Sequence, residues 1–192
     1  MINTTDHDSR IVRTKGQPAI QGYNAQAAAN ENQIIIAAEV TIDSPDFGHL
    51  EPMVDDSLSE LRKVGVTDLP SVIVADAGYW HQKQMENIVT DKHIPVVIPP
   101  DSGLRKGKDP RPGWDEGLYA FMRRVIESDN GKPTYRRRMG TIEPVFGQIK
   151  FDRRFDRFQR RGRSAARSEW RFAAATHNLL KLHSRQTAAA PA

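Results

Sequence analysis

Two carboxylates and one series of arginines have the types and spacing that chemistry needs. Asp76 follows the apolar run Pro70-Ser71-Val72-Ile73-Val74-Ala75 and precedes Ala77-Gly78. A carboxylate at the carboxyl end of a buried strand opens into the crevice where ligands collect in α/β sheets, and it can hold a hard cation. A turn-forming or helix-capping aspartate suits the same position equally well. Glu143 lies in the first turn of an expected helix whose apolar stripe is Ile142, Val145, Phe146 and Ile149. On that helix Glu143, Gly147, Lys150 and Arg154 share one face. One acid beside a row of bases suits a site where a metal ion and a nucleic-acid phosphate meet. The plainer account is an acid favoured near a helix amino terminus by the macrodipole.

The arginine series is Arg136-Arg137-Arg138, then Arg153, Arg154, Arg157, Arg160, Arg161 and Arg163, interleaved with Phe151, Phe155 and Phe158. Most protein–DNA contacts go to the backbone, so such arginines read as phosphate contacts, and the phenylalanines read as core. His49, His81, His93, His177 and His183 show no HxxxH or HExxH spacing, which argues against a zinc site. GxxxxGK[ST], GxGxxG and GxSxG are all missing, so ATP hydrolysis, dinucleotide redox chemistry and esterase chemistry have no support. With no Cys, there is no disulfide, thiolate zinc site or Cys nucleophile.

Charge divides sharply along the 192 residues. Residues 131–192 hold 15 Lys/Arg against 4 Asp/Glu, a net +11, and residues 1–130 carry −7. A positive segment of that density points to a polyanion, with DNA or RNA the usual partner. A solvated, charge-laced helix surface is the alternative. No apolar run approaches the roughly 20 residues of a membrane helix, and the first residues do not read as a signal peptide.

The elements that must position these residues follow from apolar periodicity. Ile20–Asn30 reads as a strand, Asn30-Glu31-Asn32 as a hairpin turn and Gln33–Thr41 as a second, stronger strand. Phe47, Leu50, Val54, Leu58, Leu61 and Val64 recur at helical spacing, with Gly65 as a stop. The run 70–75 then predicts a strand buried on both faces. A helix through Met85, Ile88 and Val89 follows, and Ile94–Ile98 makes another strand. Strand–helix–strand order implies a parallel portion. Residues 100–117 lack a core pattern, and Leu118–Ile126 suggests a short helix. A long helix is expected from Thr141 as N-cap, with Pro144 in its first turn. A last helix is expected over 164–183 with Trp170, Ala174 and Leu180 inward. The expected organisation is a linker over 1–19, a catalytic domain over 20–183 with a loop-rich insertion at 100–132, and a disordered tail over 184–192.

Three runs in order, Gly22-Tyr23-Asn24-Ala25-Gln26-Ala27-Ala28, Val74-Ala75-Asp76-Ala77-Gly78-Tyr79 and Tyr135-Arg136-Arg137-Arg138 through Ile142-Glu143 to Lys150, resemble the DDE transposases of bacterial insertion sequences. The chain is most similar to the subgroup with a long insertion before a GYNAQ-type strand. The resemblance implies an α/β, ribonuclease H-like mixed sheet flanked by helices. It also implies a triad of two Asp and one Glu holding two Mg²⁺ ions, with Mn²⁺ as a substitute, that cuts transposon ends and joins them to target DNA. By motif position Asp76 matches the second Asp and Glu143 the Glu, as catalytic residues and metal ligands. Tyr135, Arg138 and Lys150 match the basic signature that contacts DNA, although Tyr135–Glu143 is one residue longer than in the family; Arg153 and Arg154 extend the basic row. No Asp-Gly-Thr-like run supplies the first Asp, and Asp8 is the candidate stand-in. The resemblance therefore implies the carboxyl-terminal portion of a transposase, without its first strand. The resemblance further implies action on DNA in the bacterial cytoplasm, association with the nucleoid when bound, and compatibility with a homodimer. The alternative is a catalytically inactive DNA-binding remnant. An unrelated RNA-binding module ranks last, since no RNP-like run or GXXG clamp occurs.

Overall fold

Tyr23 divides the stretch 20–30 into two strands with different partners. The computed structural model describes residues 4–12, 18–43, 45–101 and 115–189. In it β1 (Arg10–Val12) pairs antiparallel with β2 (Ile20–Gly22). Immediately beyond Tyr23, β3 (Asn24–Ala29) pairs antiparallel with β4 (Ile35–Thr41). β1 lies in the segment expected to be a linker, because three residues are too few to show an alternation. The hairpin turn is where it was expected. Asn30 Oδ1 accepts from the N–H groups of Asn32 and Ile34, both at 3.0 Å, while Gln33 takes the left-handed conformation at φ 61°.

Contacts divide the chain into two compact units, Asp46–Gly140 and Met1–Pro45 with Thr141–Ala192. The first is built on α1 (Leu50–Lys63), which buries Leu50, Met53, Val54 and Leu58. Pro52 sits in its first turn, where a missing N–H costs nothing, and Gly65 at φ +80° ends it. Phe47 and Val64 fall outside the helix and are exposed, contrary to the expected stripe. The strands β5 (Ile73–Val74) and β6 (Val96–Val97) pair in parallel, and α2 (Gln82–Lys92) connects them. The parallel portion inferred from strand–helix–strand order is therefore present. β5 is only partly buried, so it is not sealed on both faces. Ile88, Ile94 and Ile98 are fully buried in this unit, each worth about 1.5–3 kcal/mol of burial.

Two further helices follow, α3 (Gly117–Glu127) and α4 (Gly131–Gly147), and a π-helical turn (Gln148–Asp152) continues α4. Residues 102–114 of the expected insertion lie outside the described residues. The long helix expected from Thr141 begins a full ten residues earlier. Ser128 Oγ accepts from the Gly131 N–H at 3.0 Å, Asn130 O accepts from the Thr134 N–H at 3.3 Å, and Pro133 stands in the first turn. Pro144 is thus inside the helix, where it removes the bond to the carbonyl of Gly140. The boundary between the two units falls at that weakened place.

In the second unit α5 (Arg163–Ala189) packs on β4. Val145, Ile149, Ala166, Trp170, Ala173 and Ala174 form a core with Ile35 and Val40. Trp170 stacks on Phe146 at 5.6 Å and donates from Nε1 to Gln26 O at 2.7 Å. Asn178 completes the strand edge, accepting from the Ile35 N–H at 2.8 Å and donating to Ile35 O at 2.7 Å. Leu180, expected inward, is exposed. A 27-residue helix runs about 40 Å and a seven-residue strand about 23 Å, so the far end of α5 outruns the sheet. The helix also continues past His183 to Ala189, through residues expected to lack structure. The fold is thus mixed α/β, and among the described residues its strands form three two-stranded sheets. Among those residues no helix is long and apolar enough to cross a membrane.

Candidate functional site

Asp76 leaves β5 in extended conformation and caps the 3-10 turn Ala77–Tyr79, its Oδ1 accepting from the Gly78 N–H at 2.9 Å. The aspartate is therefore turn-forming, and it also lines a cleft. Its side chain is 45% exposed at the edge of a cleft of about 600 Å³ within the unit Asp46–Gly140. α4 contributes Tyr135 and Arg138 to that cleft, α3 contributes Arg123 and Glu127, and the segment after β6 contributes Pro99, Pro100 and Asp101. Arg138 Nη1 lies 4.0 Å from Asp76 Oδ2, and its guanidinium stands 5.8 Å from the Tyr135 ring. Arg123 donates to Asp101 Oδ2 at 3.0 Å. The structure thus gathers three of the residues singled out from sequence, Asp76, Tyr135 and Arg138, into one cleft.

A second carboxylate stands beside Asp76. A Cβ added to Gly78 would meet Asp46 Oδ2 and Asp76 Oδ1, each at 3.0 Å, so both acids close over the same glycine. A side chain at position 78 would require the two carboxylates to shift by a few tenths of an ångström. Burial of Tyr79, together with the charges of Asp46 and Asp76, pushes its hydroxyl well above the usual tyrosine range. Sequence reading passed over Asp46, Asp101, Arg123 and Glu127. Asp46 follows no apolar run that would mark it, and an ion pair spanning 101 to 123 leaves no local pattern.

The remaining residues belong to the other unit. Glu143 is exposed on α4, and Lys150 is exposed in the π-helical turn with its Nζ 5.8 Å from the Phe146 ring. Arg154 is exposed in the left-handed conformation at φ 54°. Arg153 is half-buried, its Nη1 3.2 Å from Nδ1 of the fully buried His177. His177 Nε2 lies 2.8 Å from Gln33 O. Burial, with Arg153 and Lys181 nearby, holds His177 below its ordinary pKa, so the neutral ring donates from Nε2 and accepts at Nδ1. Asp8 accepts from the Arg163 N–H at 2.9 Å, and Asp6 takes the Gly162 N–H at 3.2 Å and the Tyr23 hydroxyl at 2.7 Å. Both acids thus secure the start of α5.

The donor set at Asp76 is all oxygen, which suits a hard divalent ion rather than a thiolate- or imidazole-seeking one. Mg²⁺ typically keeps several waters and takes one or two carboxylates plus substrate phosphates, so a half-exposed aspartate beside guanidiniums fits it. Among the described residues no group of three or more His, Cys, Asp or Glu gathers for a metal. No curated protein and no solved structure matches the chain. The Transposase DDE domain family does match, over residues 2–179. With an aspartate at the end of a parallel strand and a match over most of its length, the chain belongs to the Transposase DDE domain family.

Proposed function

We propose that this chain serves DNA transposition as a Mg²⁺-dependent transposase, with Asp76 and Glu143 as catalytic carboxylates and metal ligands. Family membership implies DNA transposition, and the family generally uses a divalent metal. The finer reading is cutting of transposon ends and their joining to target DNA by phosphoryl transfer, within a ribonuclease H-like catalytic domain over 20–183. The observation that carries it is Asp76 at the edge of a cleft walled by Arg138, Arg123 and Tyr135. When bound, the metal supplies Lewis-acid activation of a phosphoryl oxygen and of the attacking water or 3′-hydroxyl.

The chain's own residues do the positioning. The Gly78 N–H fixes one oxygen of Asp76 and leaves the carboxylate's other lone pairs for a cation. Arg138 and Arg123 present planar, permanently charged donors suited to phosphate oxygens. Lys150, Arg153 and Arg154 extend the basic row for the DNA backbone, and Tyr135 lines the cleft beside Arg138. The working partner is DNA, as transposon end and as target, with a homodimer on paired ends in the bacterial cytoplasm. Mn²⁺ is expected to substitute for Mg²⁺.

The test is strand cutting of a DNA carrying the cognate transposon ends, with Mg²⁺ or Mn²⁺. Asp76→Asn and Glu143→Gln are each expected to lower cutting by at least about 10³-fold, as losses from cooperating catalytic sets do, while DNA binding persists. Cutting that survives both substitutions would remove these residues from the chemistry. A second reading, a DNA-binding protein without catalysis, draws on the +11 charge of residues 131–192. It predicts salt-sensitive binding with no metal-dependent cutting.

A further inference from the structure

Arg163, Arg167 and Arg171 stand one helical turn apart on α5 and converge on a single acid. Glu39 of β4, only 12% exposed, faces the terminal nitrogens of Arg167 at 2.6 Å, Arg171 at 3.4 Å and Arg163 at 3.9 Å. Two of these arginines also hold the strand, Arg163 Nε donating to Val40 O at 2.9 Å and Arg171 Nε to Ala38 O at 3.2 Å. The guanidiniums are therefore fixed in place, yet the three side chains remain 43–49% exposed. Capping two carbonyls requires neutral N–H donors and nothing more. Three permanent charges around one carboxylate exceed that need, and the excess is positive.

The row is about 12 Å long, from eight residues at 1.5 Å each. Asp8 stands at its amino end, engaged by the Arg163 N–H, and exposed Arg160 and Arg161 precede it in the chain. Ordered guanidiniums with free outer donors are matched to phosphate oxygens, and a row of them to a chain of phosphates. We infer that Arg163, Arg167 and Arg171, ordered by Glu39, form one phosphate-binding surface for the backbone of duplex DNA, which adds Arg167 and Arg171 to the arginine series ending at Arg163. This rests on the reading of DNA as the partner.

Fluorescence anisotropy of the full chain with a short random-sequence duplex, across a range of salt, tests it. Replacing all three arginines by Gln is expected to weaken binding by at least about tenfold. It should also flatten the log–log salt slope by about 2–3, near 0.9 for each lost phosphate contact. The matching triple Lys variant should keep the slope, since it keeps the charge. Arg167 contacts Glu39 and caps no strand carbonyl among the described residues, so Arg167→Gln spares the strand edge and should flatten the slope by about 0.9. Wild-type affinity and slope in the Gln variants would overturn the inference and leave the DNA reading standing. No salt-sensitive binding by the wild type would overturn both.

Discussion

His177 is fully buried with its ring nitrogens facing Gln33 O and Arg153, and that arrangement accepts only the neutral ring. Its folded-state pKa lies below the ordinary 6.5, so the unfolded chain takes up a proton more readily than the folded one. The contribution to stability is therefore complete above pH 6.5 and is lost as pH falls from there toward the lowered value. Urea unfolding of the wild type at neutral pH and at pH 5 should show that decline, and His177→Asn should lessen it. A stability that is flat or rises on acidification would contradict the assignment. Little of this was legible in sequence, where His177 was one of several scattered histidines; its partners lie 24 and 144 positions away. Asp76 was legible, because an apolar run ending in Asp-Ala-Gly has few structural meanings. Asp46 was not, because only the folded chain brings it over Gly78.

Elements fix where these residues stand, and two positions test how. Gly131 opens α4 so close to the end of α3 that an added Cβ would lie 1.7 Å from the Val125 carbonyl oxygen. Gly131→Ala is expected to cost about 3 kcal/mol in chemical unfolding, at the upper end of overpacking effects. A cost under about 1 kcal/mol would mean that the α3–α4 corner gives way freely. Asn178 acts as a neighbouring strand for Ile35 through two hydrogen bonds. Asn178→Leu leaves both backbone groups unsatisfied and should cost about 2–4 kcal/mol. A neutral substitution would show that the edge does not depend on α5. From β3 to β6 the order strand, strand, helix, strand, helix, strand follows the apolar periodicity, whereas β1 and the break at Tyr23 leave no periodic trace. The true start of α4 was not, because Pro144 and Thr141 imitate a helix beginning inside a helix whose real cap is at Ser128. The end of α5 was missed because its last turns rest on no sheet and carry no stripe.

At the scale of the whole molecule, charge is the most informative sequence property. A net +11 over residues 131–192 against −7 over the rest predicts a partner that is a polyanion, and membership of the Transposase DDE domain family implies DNA. Composition could not divide those arginines by task. Arg153 supports a buried histidine, Arg163 and Arg171 hold a strand edge, and Arg138 lines the cleft with Asp76. The central claim is that Asp76 and Glu143 both serve a divalent metal. Calorimetric titration of the full chain with Mn²⁺, repeated for Asp76→Asn and Glu143→Gln, tests it most directly. The account predicts saturable binding by the wild type and at least about a tenfold loss in each variant. Equal binding by all three proteins, or none by the wild type, would contradict it.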